Sequence, residues 1–131
     1  MCYCRACSKI KYKEWSLDNE DYNSKRFFLW SREAKGRFSR YKKQAKKDKR
    51  DFKISFEDFA TITSNKCYYC DEYEENTSYV GIDRLDSKVG YILDNCLPCC
   101  RFCNVAKNYY TKEHFIQKCK KIIKKLGDNF V

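Results

Sequence analysis

Two CxxC turns constrain this chain more than anything else in it. Cys67-Tyr68-Tyr69-Cys70 and Cys100-Arg101-Phe102-Cys103 lie on either side of Gly81-Ile82-Asp83-Arg84-Leu85-Asp86, and Asn104 follows the last cysteine directly. A CxxC turn holds two thiolates at the separation a tetrahedral Zn²⁺ requires, and a second such turn completes the shell. The pattern predicts a closed structural Zn²⁺ site with Cys67, Cys70, Cys100 and Cys103 as its ligands. Such a site leaves no open position for chemistry; it staples the fold. A staple is needed, because a chain of 131 residues with 35% of them charged can bury only a small core. Metal-binding free energy of roughly 10 kcal/mol or more then becomes folding free energy.

Ten cysteines could also signal disulfides, but Met1-Cys2-Tyr3-Cys4-Arg5 opens the chain with no apolar signal-peptide stretch. No run reaches transmembrane length, so an intracellular protein without membrane association is expected. Cys96-Leu97-Pro98-Cys99 is a further CxxC that overlaps the second turn. The Cys100/Cys103 pair is preferred because it enters a predicted helix and sets Asn104 beside it. Two readings stand for Cys96 and Cys99. They are small buried hydrophobes, or they join Cys2, Cys4 and Cys7 around a second ion. Cys119 falls on an apolar helical stripe and reads as core.

The net charge of +10 favours a polyanionic partner, since Lys and Arg that neutralise phosphates release condensed counterions. The excess is concentrated in residues 24–50, interleaved with Phe27, Phe28, Trp30, Phe38 and Tyr41 at roughly helical spacing, with Gly36 as a break. One face would dock its aromatics while Arg37, Arg40, Lys42, Lys43, Lys46 and Lys47 lie along a phosphate backbone. The expected organisation is therefore an N-terminal cysteine-containing segment and basic helical arm over residues 1–50, then a compact domain over 51–131.

Within that domain Ser55-Phe56-Glu57-Asp58 has capping-box character and predicts a short helix from Phe56 to Thr63. Tyr79 to Arg84 and Tyr91 to Asp94 read as two strands joined by a turn over Asp86 to Gly90, the second stopped by Leu97-Pro98. A helix is expected from about Arg101 to Asn108. Thr111 reads as the N-cap of a last helix, with Phe115, Ile116, Cys119, Ile122, Ile123 and Leu126 on one stripe and Gly127 ending it.

The run Gly81-Ile82-Asp83-Arg84-Leu85-Asp86-Ser87, then Gly90-Tyr91, Asp94-Asn95 and Cys99-Cys100-Arg101-Phe102-Cys103-Asn104-Val105-Ala106-Lys107, resembles the HNH endonucleases. Within that family it is most similar to the zinc-stabilised branch of phages and rare-cutting restriction enzymes, over about residues 55 to 126. The resemblance implies an α+β fold: a small zinc-stabilised ββα-metal (HNH) domain with flanking helices and a basic N-terminal helical arm. It also implies hydrolysis of DNA phosphodiesters with a divalent ion, Mg²⁺ or Mn²⁺, and it leans towards a phage or virus as source. Asp83 and Asn104 would hold that ion, and Asn95 would pin the loop after the second strand. Two oxygen ligands with open positions suit such an ion.

One position departs from the family. The histidine that usually follows the metal aspartate is Arg84 here. Arginine stays protonated and cannot serve as a base, but it can clamp a scissile phosphate. Tyr69 is then a candidate base, its phenol lowered by Arg84 and the metal, against the rival of a metal-bound water deprotonated directly. Lys107 lies near the site on the helix as a phosphate contact. The single histidine, His114, reads as an exposed helix residue. The expected partner is double-stranded DNA, and cutting both strands with one site per chain would favour a homodimer. The rival is a catalytically silent HNH-derived zinc module that binds nucleic acid or serves in a larger assembly.

Overall fold

The computed structural model describes residue 14 and residues 17–127, without the side chains of 22, 23, 26–28 and 31. Cys2, Cys4, Cys7, Trp15 and the side chains of Phe27 and Phe28 therefore lie outside the described residues. The chain forms two compact units, Met1–Arg40 and Tyr41–Val131.

In the first unit, helix α1 spans Glu20–Arg32 and carries Glu20 and Asp21 in its first turn and Arg32 in its last, charges that suit the helix dipole. The break falls at Glu33, where the backbone turns extended (φ −68°, ψ 152°), not at Gly36. Gly36 belongs to the next helix, α2 (Ala34–Lys47). Its role is close approach, because a Cβ there would sit 2.0 Å from the Trp30 carbonyl oxygen. Arg37 is only 8% exposed. This corrects its expected display to a phosphate, since a guanidinium so enclosed does not face a polyanion.

The second unit begins with the remainder of α2. Lys42, Lys43, Lys46 and Lys47 are all exposed on it, at one- and four-residue spacings that gather them on one side. Tyr41 points the other way: its ring meets Phe59 edge-on at 5.3 Å, and its hydroxyl accepts the Ile82 N–H at 3.0 Å. Within the basic segment Tyr41 thus docks while these four lysines stay exposed.

Helix α3 (Phe56–Ser64) starts with a complete capping box. The Ser55 hydroxyl accepts from Asp58 N, and the Asp58 carboxylate accepts from Ser55 N, each at 3.0 Å. The shorter aspartate closes the box that a glutamate more often closes. Phe59, Ile62 and Thr63 are the buried face of this helix. The Thr63 carbonyl accepts from Val80 N at 2.9 Å, which ties the helix to the start of the sheet.

The sheet has two antiparallel strands, β1 (Gly81–Arg84) and β2 (Cys96–Cys99), in register Gly81↔Cys99, Ile82↔Pro98, Asp83↔Leu97 and Arg84↔Cys96. The second strand therefore lies after the segment expected for it, and Leu97-Pro98 is inside it. Proline is tolerated because both strands of a two-stranded sheet are edges. The Pro98 carbonyl still accepts from Tyr68 N at 2.8 Å. Residues 91 to 95 instead form one parallel bridge, Phe52↔Tyr91, and a 3-10 turn over Leu93–Asn95.

Gly90 sits under Asp51 in this loop, where a Cβ would fall 2.3 Å from the Asp51 carbonyl oxygen and 2.8 Å from its nitrogen. Gly90→Ala must push backbone apart and is expected to cost about 1–3 kcal/mol. An unchanged urea midpoint would refute that close approach.

Helix α4 (Arg101–Lys107) leaves β2 through Cys100, and α5 (Lys112–Leu126) follows with Thr111 as its N-cap, the hydroxyl accepting from His114 N at 3.2 Å. Gly127 ends α5 in right-handed geometry (φ −57°), so the stop uses no left-handed residue. The expected apolar stripe of α5 is only partly covered. Phe115, Ile116 and Cys119 are half-buried, whereas Ile122, Ile123 and Leu126 are exposed.

Candidate functional site

Cys67, Cys70, Cys100 and Cys103 converge, with all four sulfurs within 4.8 Å of one another. Cys70 Sγ and Cys100 Sγ lie 3.7 Å apart. A tetrahedron with Zn–S arms of about 2.3 Å has edges of about 3.8 Å, so the spacing suits a metal ion held by thiolates. The local backbone prepares the ligands. Burial disfavours the Cys67 thiolate, but backbone N–H groups of Cys100, Cys70 and Tyr69 outweigh it and bring this thiol down to about 7. Cys100 Sγ accepts from Cys103 N at 3.4 Å and caps α4. Burial pushes the Cys70 and Cys103 thiols up, a cost that a bound cation offsets.

Cys96 and Cys99 are buried outside this cluster. Burial pushes Cys96 up to about 11 and Cys99 higher still. The reading in which they join Cys2, Cys4 and Cys7 around a second ion falls on residues outside the described ones. Cys99 joins Cys67, Val80, Cys100 and Cys103 in one core cluster, with Tyr69 packed against it. Among the described residues no other group of three or more metal-ligating side chains converges.

Next to the cluster, β1 delivers Asp83 into the interior. Period-two alternation puts Asp83 on the face of the strand towards α4, and only 3% of it is exposed. Both carboxylate oxygens are engaged. Tyr69 Oη donates to Oδ2 at 2.8 Å, and Lys107 Nζ donates to Oδ1 at 3.1 Å. Lys107 is 1% exposed and also reaches the Arg84 carbonyl at 3.3 Å. The expectation that Lys107 contacts a phosphate is thereby corrected: its ammonium is the counter-charge of Asp83. Three residues separate it from Asn104 and four from Cys103, so one face of α4 carries all three. That spacing was visible in the sequence.

Asn104 Nδ2 donates to the Ile82 carbonyl at 3.4 Å, which ties this side chain to the residue before Asp83. Asn95 is buried in the loop after β1. Its Oδ1 accepts from Asp86 N at 2.8 Å, and its Nδ2 donates to the carbonyls of Gly90 (3.0 Å) and Asp86 (3.1 Å). Arg84 serves the same loop. Its Nη1 donates to the carbonyls of Ser87 at 2.7 Å and Val89 at 2.9 Å, with the guanidinium carbon 5.4 Å from the centre of the Tyr91 ring.

Tyr69 differs from expectation in the direction of its proton affinity. Burial first, then the hydrogen bond to Asp83 and that group's charge, push its phenol well above the ordinary range. Arg84, expected to lower it, is turned towards the loop. Tyr69 here is a donor that fixes the carboxylate. Its ring is held in turn by Phe115 of α5, edge-on at 5.4 Å. His114 is exposed and stacked on Tyr110.

The donor set suits a hard divalent ion: one carboxylate and one amide oxygen, each carboxylate oxygen keeping a second lone pair after its present bond. Lys107 is the cation with which such an ion competes.

The architecture is one of helices around a small two-stranded sheet, with a four-cysteine cluster able to hold a metal ion and a buried aspartate next to it. The rare-cutting HNH restriction endonuclease PacI, whose structure is described with a mechanism of DNA perturbation, matches over 72% of this chain and 79% of its own. The TM-score is 0.53 at 19% identity, a likeness of fold. An uncharacterized protein of Acanthamoeba polyphaga mimivirus, R423, is 41% identical over 83 residues. The match takes in 63% of this chain and 16% of that protein, so the chain has a viral homologue but spans a small part of its length. No family model matches the chain. Among the described residues no helix is long and apolar enough to cross a membrane.

Proposed function

We propose that this chain is an HNH-type endonuclease that hydrolyses DNA phosphodiester bonds, with Zn²⁺ in the cysteine cluster and Mg²⁺ or Mn²⁺ at Asp83. The observation that carries the reading is the placement of Asp83 and Asn104 on facing elements directly beside the four cysteines. In hydrolysis a water oxygen bonds to phosphorus while the bond from phosphorus to the 3′ oxygen breaks. A divalent ion, when bound, supplies the positive charge that polarises the phosphate and stabilises the leaving oxygen. Asp83 and the Asn104 amide oxygen would hold it. Tyr69 and Lys107 orient the carboxylate, and Asn95 with Arg84 Nη1 keeps the loop after β1 in one shape. The other guanidinium nitrogens of Arg84 can take a phosphate oxygen. The exposed lysines Lys42, Lys43, Lys46 and Lys47 track the DNA backbone, on a helix that Tyr41 ties to β1 one residue before Asp83.

Asp83→Ala is expected to abolish plasmid nicking in Mg²⁺ or Mn²⁺, by about a hundredfold or more if the ion supplies several kcal/mol. Nicking at the parental rate would remove Asp83 from the mechanism. One observation favours a second reading, a nucleic-acid-binding module without cleavage: both Asp83 oxygens already have protein partners. Parental protein that binds DNA yet leaves it intact across Mg²⁺, Mn²⁺ and several substrates would establish that reading instead.

A further inference from the structure

From the α4–α5 turn into the first turn of α5 the chain displays three neighbouring aromatic rings, Tyr109, Tyr110 and His114. Tyr109 and Tyr110 lie 4.6 Å apart with planes tilted by 31°, and Tyr110 and His114 lie 4.8 Å apart and nearly parallel, at 14°. Tyr109 is 66% exposed, Tyr110 43%, and His114 is exposed as well. The backbone beneath them is fixed. Asn108 takes a left-handed conformation (φ 53°), Tyr110 N donates to the Lys107 carbonyl at 3.2 Å, and the Thr111 cap holds His114 N. Beside the stack Lys112 lies over the exposed Tyr68 ring at 5.4 Å.

The stack is also close to the candidate active site along two short paths. Lys107, whose carbonyl anchors Tyr110, holds Asp83 through its ammonium. Phe115, the neighbour of His114, packs on Tyr69, which holds the same carboxylate.

Large exposed aromatics on a rigid backbone mark an interaction surface. Near-parallel ring faces fit a flat π-system, and Lys112 with a net charge of +10 fits phosphates. A nucleobase on its backbone combines both. In an intact duplex each base face is covered by its neighbours, so only an unstacked base can extend the stack. We propose that Tyr109, Tyr110 and His114 form a stacking platform for an unpaired base next to the scissile phosphate. The substrate class is then DNA carrying unstacked nucleotides, at a bulge, a branch or a single-stranded stretch. This rests on the endonuclease reading for its site of cleavage, but not for its binding.

The test is anisotropy of a labelled duplex with and without one bulged 2-aminopurine, with no divalent ion added so that cleavage plays no part. The parent is expected to bind the bulged duplex about tenfold more tightly, the scale of one base–aromatic stack, and to quench its fluorescence. Tyr109→Ala with Tyr110→Ala should remove the preference and the quenching while leaving affinity for perfect duplex unchanged. Tyr109→Phe with Tyr110→Phe, which keeps both rings, should retain both. Equal affinity of the parent for the two duplexes overturns the proposal. So does a preference that survives the alanines, or a change of oligomeric state in the alanine variant with base preference intact, which would make the stack a protein contact. A parent that prefers the bulge but never cleaves would sink the nuclease reading and leave this one standing.

Discussion

Stripping the metal from the four-cysteine cluster, or replacing Cys103 by Ser, is expected to unfold the Tyr41–Val131 unit rather than loosen it. The reason lies in what the core is made of. Cys67, Val80, Cys99, Cys100 and Cys103 form one buried cluster, so four of its five members are cysteines and three are candidate ligands. Without a cation the thiols keep their burial cost and lose their common centre. A structural Zn²⁺ contributes roughly 10 kcal/mol or more, as much as the whole stability of a typical domain. The two-stranded sheet cannot make up the difference, because an isolated pair of strands is marginal in water. Circular dichroism and hydrogen exchange at β1 and β2 amides should both report collapse on chelation, with recovery when Zn²⁺ is restored. Cys119→Ser, at a half-buried position on α5 outside the cluster, should leave both nearly unchanged. A chain that keeps native exchange protection after elemental analysis shows no bound metal would disprove the dependence.

The elements legible in the sequence were those written in local chemistry. Ser55 with Asp58 announced α3, Thr111 announced α5, and the helix that Cys100 and Cys103 enter ahead of Asn104 picked the cluster over the overlapping Cys96/Cys99 pair. The second strand was misplaced because local rules compete there. Tyr91 to Asp94 has strand-like residues but spends them on a single bridge and a 3-10 turn, while proline reads as a stop although an edge strand accepts it. At the site the residue types were legible and their pairings were not. Tyr69 and Asp83 are fourteen residues apart and Lys107 a further twenty-four, so the contacts exist only once the cysteines have joined the two turns. Arg84 illustrates the limit most clearly. Its charge suggested a phosphate ligand, and the fold gives Nη1 the carbonyls of Ser87 and Val89.

Lys107→Met is expected to destabilise the protein by about 3–5 kcal/mol, the usual consequence of removing one partner of a buried ion pair. The two groups are 1% and 3% exposed and 3.1 Å apart, so water cannot replace the ammonium. Asp83 would keep only the Tyr69 hydroxyl, one neutral donor for a full negative charge. If the penalty is that stranded charge, Lys107→Met combined with Asp83→Asn should recover most of it, since neither member of the new pair is ionised. Urea unfolding of the four proteins measures the coupling directly. A single variant within about 0.5 kcal/mol of the parent, the range of ordinary surface changes, would mean the pair contributes little. The same protein also probes the proposed metal site. A divalent ion that binds the folded state raises stability by mass action, and Lys107→Met removes its competitor while leaving its ligands. Mn²⁺ should therefore raise the melting temperature of Lys107→Met by more than that of the parent, and should not raise that of the double variant. Equal shifts in all three would place the ion elsewhere. Lys107 then matters for function through the carboxylate it shares: the ammonium keeps Asp83 buried and oriented, and any divalent ion must bind strongly enough to take its place.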